Sequence, residues 1–353
     1  MNDLAEANTG TTAVREGYAF DEAALENWLK ANVEGYAGPL GVEQFKGGQS
    51  NPTYKLVTPA RSYVLRRKPP GEILKGAHAV EREAKVLTAL HAQGFPVARV
   101  YGLCTDESVI GTWFYVMEMV EGRIFWDATV PGVSNGERTA IFDAMNATIA
   151  QLHSYDPEMI GLGDYGKPGN YFARQVGRWS RQYREDEAAG RDEAMDAVIE
   201  WLEVNMPEDD GASSVIHGDF RIDNMIFHPT EPRVLAVLDW ELSTLGHPLA
   251  DFAYHAMMYH MPPHIVAGLG GADIAALGIP SEEDYAAAYC RRTGREGLPD
   301  YRYTMAFNFF RLAAIFHGIK GRVIRGTASN AQAKERAEAF PELARLALGF
   351  TDA

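Results

Sequence analysis

Two segments of this chain hold the residues best suited to chemistry: Val215-Ile216-His217-Gly218-Asp219-Phe220-Arg221-Ile222-Asp223-Asn224 and Val234-Leu235-Ala236-Val237-Leu238-Asp239-Trp240-Glu241. Each opens with an apolar β-type run that delivers an aspartate near its end, and Asn224 follows Asp219 by five residues. Phosphoryl transfer needs this set: a carboxylate to meet an acceptor hydroxyl, and hard oxygen ligands for the magnesium that offsets triphosphate charge. Asp219 would orient the hydroxyl and take its proton, and Asn224 and Asp239 would hold the metal. Gly218 lets the backbone turn sharply before Asp219. Asp223 competes for the role given to Asn224, but the five-residue interval from Asp219 favours Asn224.

The flanking sequence must supply the elements that position these groups. Residues 1–17 are small, polar and unpatterned. Asp21 is spaced to cap a helix running to about Leu29, with Leu25, Trp28 and Leu29 on one face. From about Val42 the pattern becomes strand-like: Gln44-Phe45-Lys46, a Gly-rich turn over 47–52, Thr53 to Val57, then Tyr63 to Arg66. Helical spacing over about 77–91 follows, then strands over 97–103 and 112–120. Beyond Gly122 the spacing predicts helices over 136–153, 171–188, 191–205, 281–292 and 301–320, interrupted by the β-type runs of 213–240. The Ala-rich, charged stretch 327–339 reads as a solvated helix.

The chain has 353 residues, 46% hydrophobic and 23% charged, enough for two domains with sizeable cores. The pattern divides into a tail and helix over 1–35, a β-rich domain over 36–120 and a helical domain over 121–353. A net charge of −15 argues against a nucleic-acid surface. No apolar run is long enough to span a bilayer, and residues 1–6 lack a basic region before an apolar stretch. Two cysteines, Cys104 and Cys290, make no disulfide framework. These features place the protein in the cytoplasm and leave its oligomeric state open.

His217-Gly218-Asp219-Phe220-Arg221-Ile222-Asp223-Asn224 with Leu238-Asp239-Trp240-Glu241 resembles the aminoglycoside phosphotransferase and choline kinase superfamily. The longer run from His217 to Tyr254 is more similar to the kinase-like domains joined to, or encoded beside, acyl-CoA dehydrogenases. The resemblance covers about 36–350 and implies an α+β, bilobal protein-kinase-like fold: a small, mainly antiparallel β N-lobe that binds nucleotide and a larger, mainly α-helical C-lobe. It also implies ATP and Mg2+. Gly47, Gly48 and Ser50 would close over the phosphates, and Arg66, standing where protein kinases carry lysine, would grip them. Strand alternation puts Arg66 on one face and Arg67 on the other. Glu83 would pair with Arg66, Glu81 being the rival. Backbone groups at Glu118 and Met119 would receive adenine. The resemblance gives His217 and Asp251 bracing roles in the catalytic loop.

The acceptor is a small molecule with a hydroxyl group. Its candidate lining is Arg178, Trp179, Tyr183, Tyr259, Asn308 and Arg311. Arg174, Arg178, Arg181 and Arg184 fall on one helical face, which as a binding surface suits an anionic or coenzyme A-linked acceptor, a hydroxyacyl-CoA or hydroxy acid. The alternatives are an aminoglycoside or amino-alcohol O-phosphotransferase, a non-catalytic nucleotide-binding pseudokinase, and a metallohydrolase using His217, Asp219, Asp239 and His247.

Overall fold

The computed structural model describes residues 9–47, 51–71, 78–327 and 333–351. It divides into two compact units, one of Met1–Trp126, Ile160–Leu162 and Asp223–Ser243, the other of Asp127–Met159, Gly163–Ile222 and Thr244–Ala353. The stretch carrying Asn224 and Asp239 thus clusters with the first unit, apart in sequence from the rest of it.

The first unit is built on six antiparallel strands, β1 (Thr11–Thr12), β2 (Gly41–Phe45), β3 (Thr53–Val57), β4 (Ser62–Arg67), β5 (Val100–Cys104) and β6 (Phe114–Glu118), in the order β1-β2-β3-β4-β6-β5. Alternation decides which face is dry: Tyr54, Leu56, Tyr63 and Leu65 are buried with Leu25 and Leu29 of the Glu22–Asn32 helix. Asp21 caps that helix, accepting from the Ala24 N–H. Arg67 shares this face, its guanidinium 5.0 Å from the Phe20 ring, so Arg66 emerges on the other. There the Val80–Ala92 helix presents Glu83.

The second unit is helical, with helices Asn135–Ser154, Tyr171–Glu185, Glu193–Val204, Pro248–Ala256, Glu282–Thr293, Tyr301–Ile324 and Ala333–Gly349. Tyr301–Ile324 is apolar nearly all round, as a helix must be when others surround it: Phe307, Phe309, Phe310 and Ala313 are fully buried. Of the solvated helix expected over 327–339, residues 328–332 lie outside the described residues; a helix runs from Ala333 to Gly349, largely exposed up to Ala339 and burying Phe340, Leu343, Ala344 and Ala347 beyond it. That face, at helical spacing, lies mostly beyond the charged window.

Candidate active site

Strands Met225–Phe227 and Val234–Val237 form a hairpin in which Met225 faces Val237. Just past this end the Leu238 N–H donates to the Asn224 carbonyl at 2.8 Å. The ladder therefore brings Asn224 beside the residue preceding Asp239, although fifteen positions separate them in sequence. Asp239 has φ 63°, in the left-handed region that aspartate tolerates better than most residues other than glycine. The next residue, Trp240, is buried with its indole N–H on the Val237 carbonyl at 3.0 Å. The Asp239 side chain stays 39% exposed. One neutral and one anionic oxygen donor suit magnesium, which takes few protein ligands and fills its shell with phosphate and water.

Arg66 joins this group. Its Nε lies 2.8 Å from Glu83 Oε2 and its Nη2 2.9 Å from Asp239 Oδ1, with Glu241 at 3.7 Å. Burial disfavours the guanidinium charge, but Glu83 and Asp239 outweigh it and hold the group protonated. Burial likewise raises the Glu83 carboxyl, and Arg66 pulls it back. Arg66 keeps its charge near neutrality, while burial leaves the Glu83 carboxyl above its ordinary range. Glu81 instead pairs with Lys68 at 2.9 Å. The helix phase that turns Glu83 inward turns Glu81 to the rim.

Asp219 lies in the second unit, after the buried strand Ser214–Ile216. Gly218 has φ 82°. The backbone N–H groups of His217 and Gly218 donate to Asp251 at 2.8 and 2.7 Å, and His153 Nε2 lies 3.1 Å from Asp251 Oδ2. Burial would raise the Asp251 carboxyl, yet His153 and the His217 backbone more than offset this and hold it below the usual range. His217 is fully buried and its Nδ1 accepts from the Asp219 N–H at 3.2 Å. Arg311 donates to the Gly218 carbonyl at 3.1 Å. The loop that presents Asp219 is thus held through its backbone. The Asp219 carboxylate receives the Tyr254 hydroxyl at 2.6 Å and lies 3.2 Å from Arg221 Nε, both at Oδ1.

Gly47 follows β2 by two residues, while Gly48 and Ser50 lie outside the described residues. Asn51, which follows this stretch, is fully buried and its side chain donates to Glu83 Oε1 at 2.8 Å. Tyr115 donates to Glu83 Oε2 at 3.0 Å. Glu118 ends β6 with its own N–H given to Arg99 O at 2.8 Å; Met119 follows, half-buried. Sequence reading missed Asn51, Tyr115, His153 and Tyr254 as supporting groups. Only Tyr254 carried a local signal, standing three residues after Asp251 and hence on the same helix face.

The candidate acceptor lining reads largely as structure. Tyr183 is hydrogen-bonded to Asp192, Tyr259 to Pro280, and Asn308 to Ala250 and Thr304. On the basic face, Arg174 donates to Lys167 and Pro168 carbonyls and Arg184 pairs with Glu203, while Arg178 and Arg181 are exposed. His247, required by a metallohydrolase, caps its helix through Nδ1 on the Leu249 N–H and faces Asp210 with Nε2. His217 Nδ1 is likewise engaged by the backbone N–H of Asp219. Among the described residues, no three His, Cys, Asp or Glu side chains group as a metal site.

The chain belongs to the phosphotransferase enzyme family, whose model matches residues 41–303. A crystal structure of a putative aminoglycoside phosphotransferase from Ralstonia eutropha is similar with a TM-score of 0.87 and 52% identity, covering 94% of this chain and 98% of that one. Choline kinase from Cryptosporidium parvum shares the fold at a TM-score of 0.59 and 12% identity, over 92% of this chain and 95% of that one. The fold is therefore α+β and kinase-like, its antiparallel sheet N-terminal and its helices mainly C-terminal. Acyl-CoA dehydrogenase family member 11 from Gallus gallus is 46% identical over 348 residues, 96% of this chain but only 44% of that protein. The chain thus spans less than half the length of that relative. Among the described residues, no helix is long and apolar enough to cross a membrane.

Proposed function

We propose that this chain is an ATP- and magnesium-dependent kinase that moves the γ-phosphoryl group of ATP to a hydroxyl group of a small molecule. The observation that carries this reading is the meeting of Asn224, Asp239, Arg66 and Glu83 at one end of the 225–237 hairpin. Asn224 and Asp239 would hold magnesium, which when bound neutralises phosphate charge and fixes the triphosphate. Arg66, aimed by Glu83, donates to phosphate oxygens. The chain at Glu118 and Met119 receives adenine. Asp219 orients the acceptor hydroxyl and takes its proton as the new oxygen–phosphorus bond forms and the bond to the β-phosphate oxygen breaks, releasing ADP. Roles divide as 36–120 for nucleotide and 121–353 for acceptor, with Asn224 and Asp239 serving the nucleotide from the later sequence.

The acceptor in this reading is a hydroxy acid or hydroxyacyl chain, including its coenzyme A thioester. Two features favour it: the relative named for acyl-CoA dehydrogenase activity, and the exposed Arg178 and Arg181 on the Tyr171–Glu185 helix. A second reading, an aminoglycoside or amino-alcohol acceptor, is favoured by the name of the Ralstonia protein and by the −15 net charge, which attracts cations. The test is ADP production from Mg-ATP against a panel of hydroxyacyl-CoAs, hydroxy acids, amino alcohols and aminoglycosides, with the phosphorylated product identified by mass spectrometry. A phosphate ester of one class selects that acceptor. Tight ATP binding with no product from any panel member would replace the kinase with a regulatory nucleotide-binding protein. Turnover of a panel member without ATP would point to a hydrolase.

A further inference from the structure

The Pro248–Ala256 helix reaches the Asp219 loop twice. Asp251, at its first turn, accepts the His217 and Gly218 backbone N–H groups. Tyr254, one turn on and on the same face, donates its hydroxyl to Asp219 Oδ1 at 2.6 Å. That oxygen also has Arg221 Nε at 3.2 Å. We propose that Tyr254 is the positioning residue for Asp219: its phenol, with Arg221, pins Oδ1 and so sets the rotation of the carboxylate about its Cβ–Cγ bond. The carboxylate then meets the acceptor hydroxyl through Oδ2. One rigid helix thereby fixes both the backbone and the side chain of the reacting loop.

Three observations carry this role. Tyr254 is 6% exposed, so water does not compete for the bond. Burial and the neighbouring Asp219 charge both push its phenol above the ordinary range, so the Tyr254 hydroxyl remains a donor across neutral pH. The Arg311 guanidinium lies 5.5 Å from the Tyr254 ring centre while donating to the Gly218 carbonyl, so the ring and the loop share one support. A phenylalanine would fill the same space and keep the Arg311 contact. The hydroxyl is therefore separable from the packing.

The proposal rests on the reading of Asp219 as the group that receives the acceptor proton, and the experiment separates the two. ADP release from Mg-ATP is measured for the unmodified chain, Asp219→Asn, Tyr254→Phe and the double variant, with each panel acceptor and with water alone. Losing one hydrogen bond to a charged group should lower kcat of Tyr254→Phe roughly 10- to 100-fold. KM for ATP and acceptor should hold, because the bond orients the Asp219 carboxylate and is not made to either substrate. In the Asp219→Asn background the tyrosine change should cost nothing further, since the two groups act as a unit. Unchanged kcat in Tyr254→Phe, or a rise in KM with kcat intact, overturns the positioning role while a crippled Asp219→Asn leaves the kinase reading standing. Full turnover in Asp219→Asn, or no ADP from the unmodified chain with any acceptor, removes both.

Discussion

Acid should weaken this fold through His255, next but one to Asp219 in contact terms because it holds the Phe220 carbonyl. Its Nδ1 lies 3.1 Å from Phe220 O and its Nε2 2.6 Å from the Tyr285 hydroxyl. Burial raises the Tyr285 phenol well above its ordinary range, so Tyr285 is the donor, Nε2 the acceptor, and the imidazole proton sits on Nδ1. A second ring proton would face the Tyr285 hydroxyl inside a dry core. Burial accordingly lowers His255 from 6.5 to about 4, against the smaller upward pull of Phe220 O and Asp251. The folded value lies below the unfolded one, so the contribution is complete above pH 6.5 and is lost as pH falls towards 4. Linkage puts the loss at about 2 kcal/mol by about pH 5 and about 3 kcal/mol by about pH 4. His247 and His317 are also lowered by burial and act with the same sign, so the slope must be assigned by comparison. His255→Gln keeps an N–H for Phe220 O and an oxygen for Tyr285 but cannot titrate. Urea denaturation of both proteins at about pH 8 and about pH 5 should show the variant losing about 2 kcal/mol less than the parent. Equal losses would refute a neutral, titrating His255.

Asp219→Asn should lower turnover roughly 10²–10⁴-fold while ATP binding, followed by calorimetry, survives; near-normal turnover would remove Asp219 from the chemistry. Arg66→Met strands Glu83, which is 2% exposed, and should cost roughly 3–5 kcal/mol in denaturation experiments, with Arg66→Met/Glu83→Gln recovering much of it. A double variant no more stable than Arg66→Met would show that the pair is not the source. A Cβ at Gly122 would collide with the Phe227 carbonyl and the Ile226 side chain, so Gly122→Ala should displace the metal hairpin. The expected loss is about 1–3 kcal/mol in stability with weaker magnesium dependence of ATP binding, and unchanged values would place the strain elsewhere.

Sequence alone determined the sheet and helix elements of the kinase-like fold. The alternation of Tyr54, Leu56, Tyr63 and Leu65 marks a sheet with one dry face, and the same period separates Arg66 from Arg67, because both signals need only neighbours within one strand. The Asp219, Asn224 and Asp239 spacing was legible for a similar reason: the residue types sit on short loops beside strands that announce themselves. Tertiary structure decided everything that depends on helix phase or on contact between distant segments. It turned Glu83 rather than Glu81 to Arg66, buried Asn51 against Glu83, and set Asp239 in a left-handed conformation. It also gathered His153 and His217 around Asp251, and set Tyr254 against Asp219 across 35 positions of sequence. A single residue's pattern carries no record of such partners, since each bond forms only after two separately specified elements have packed.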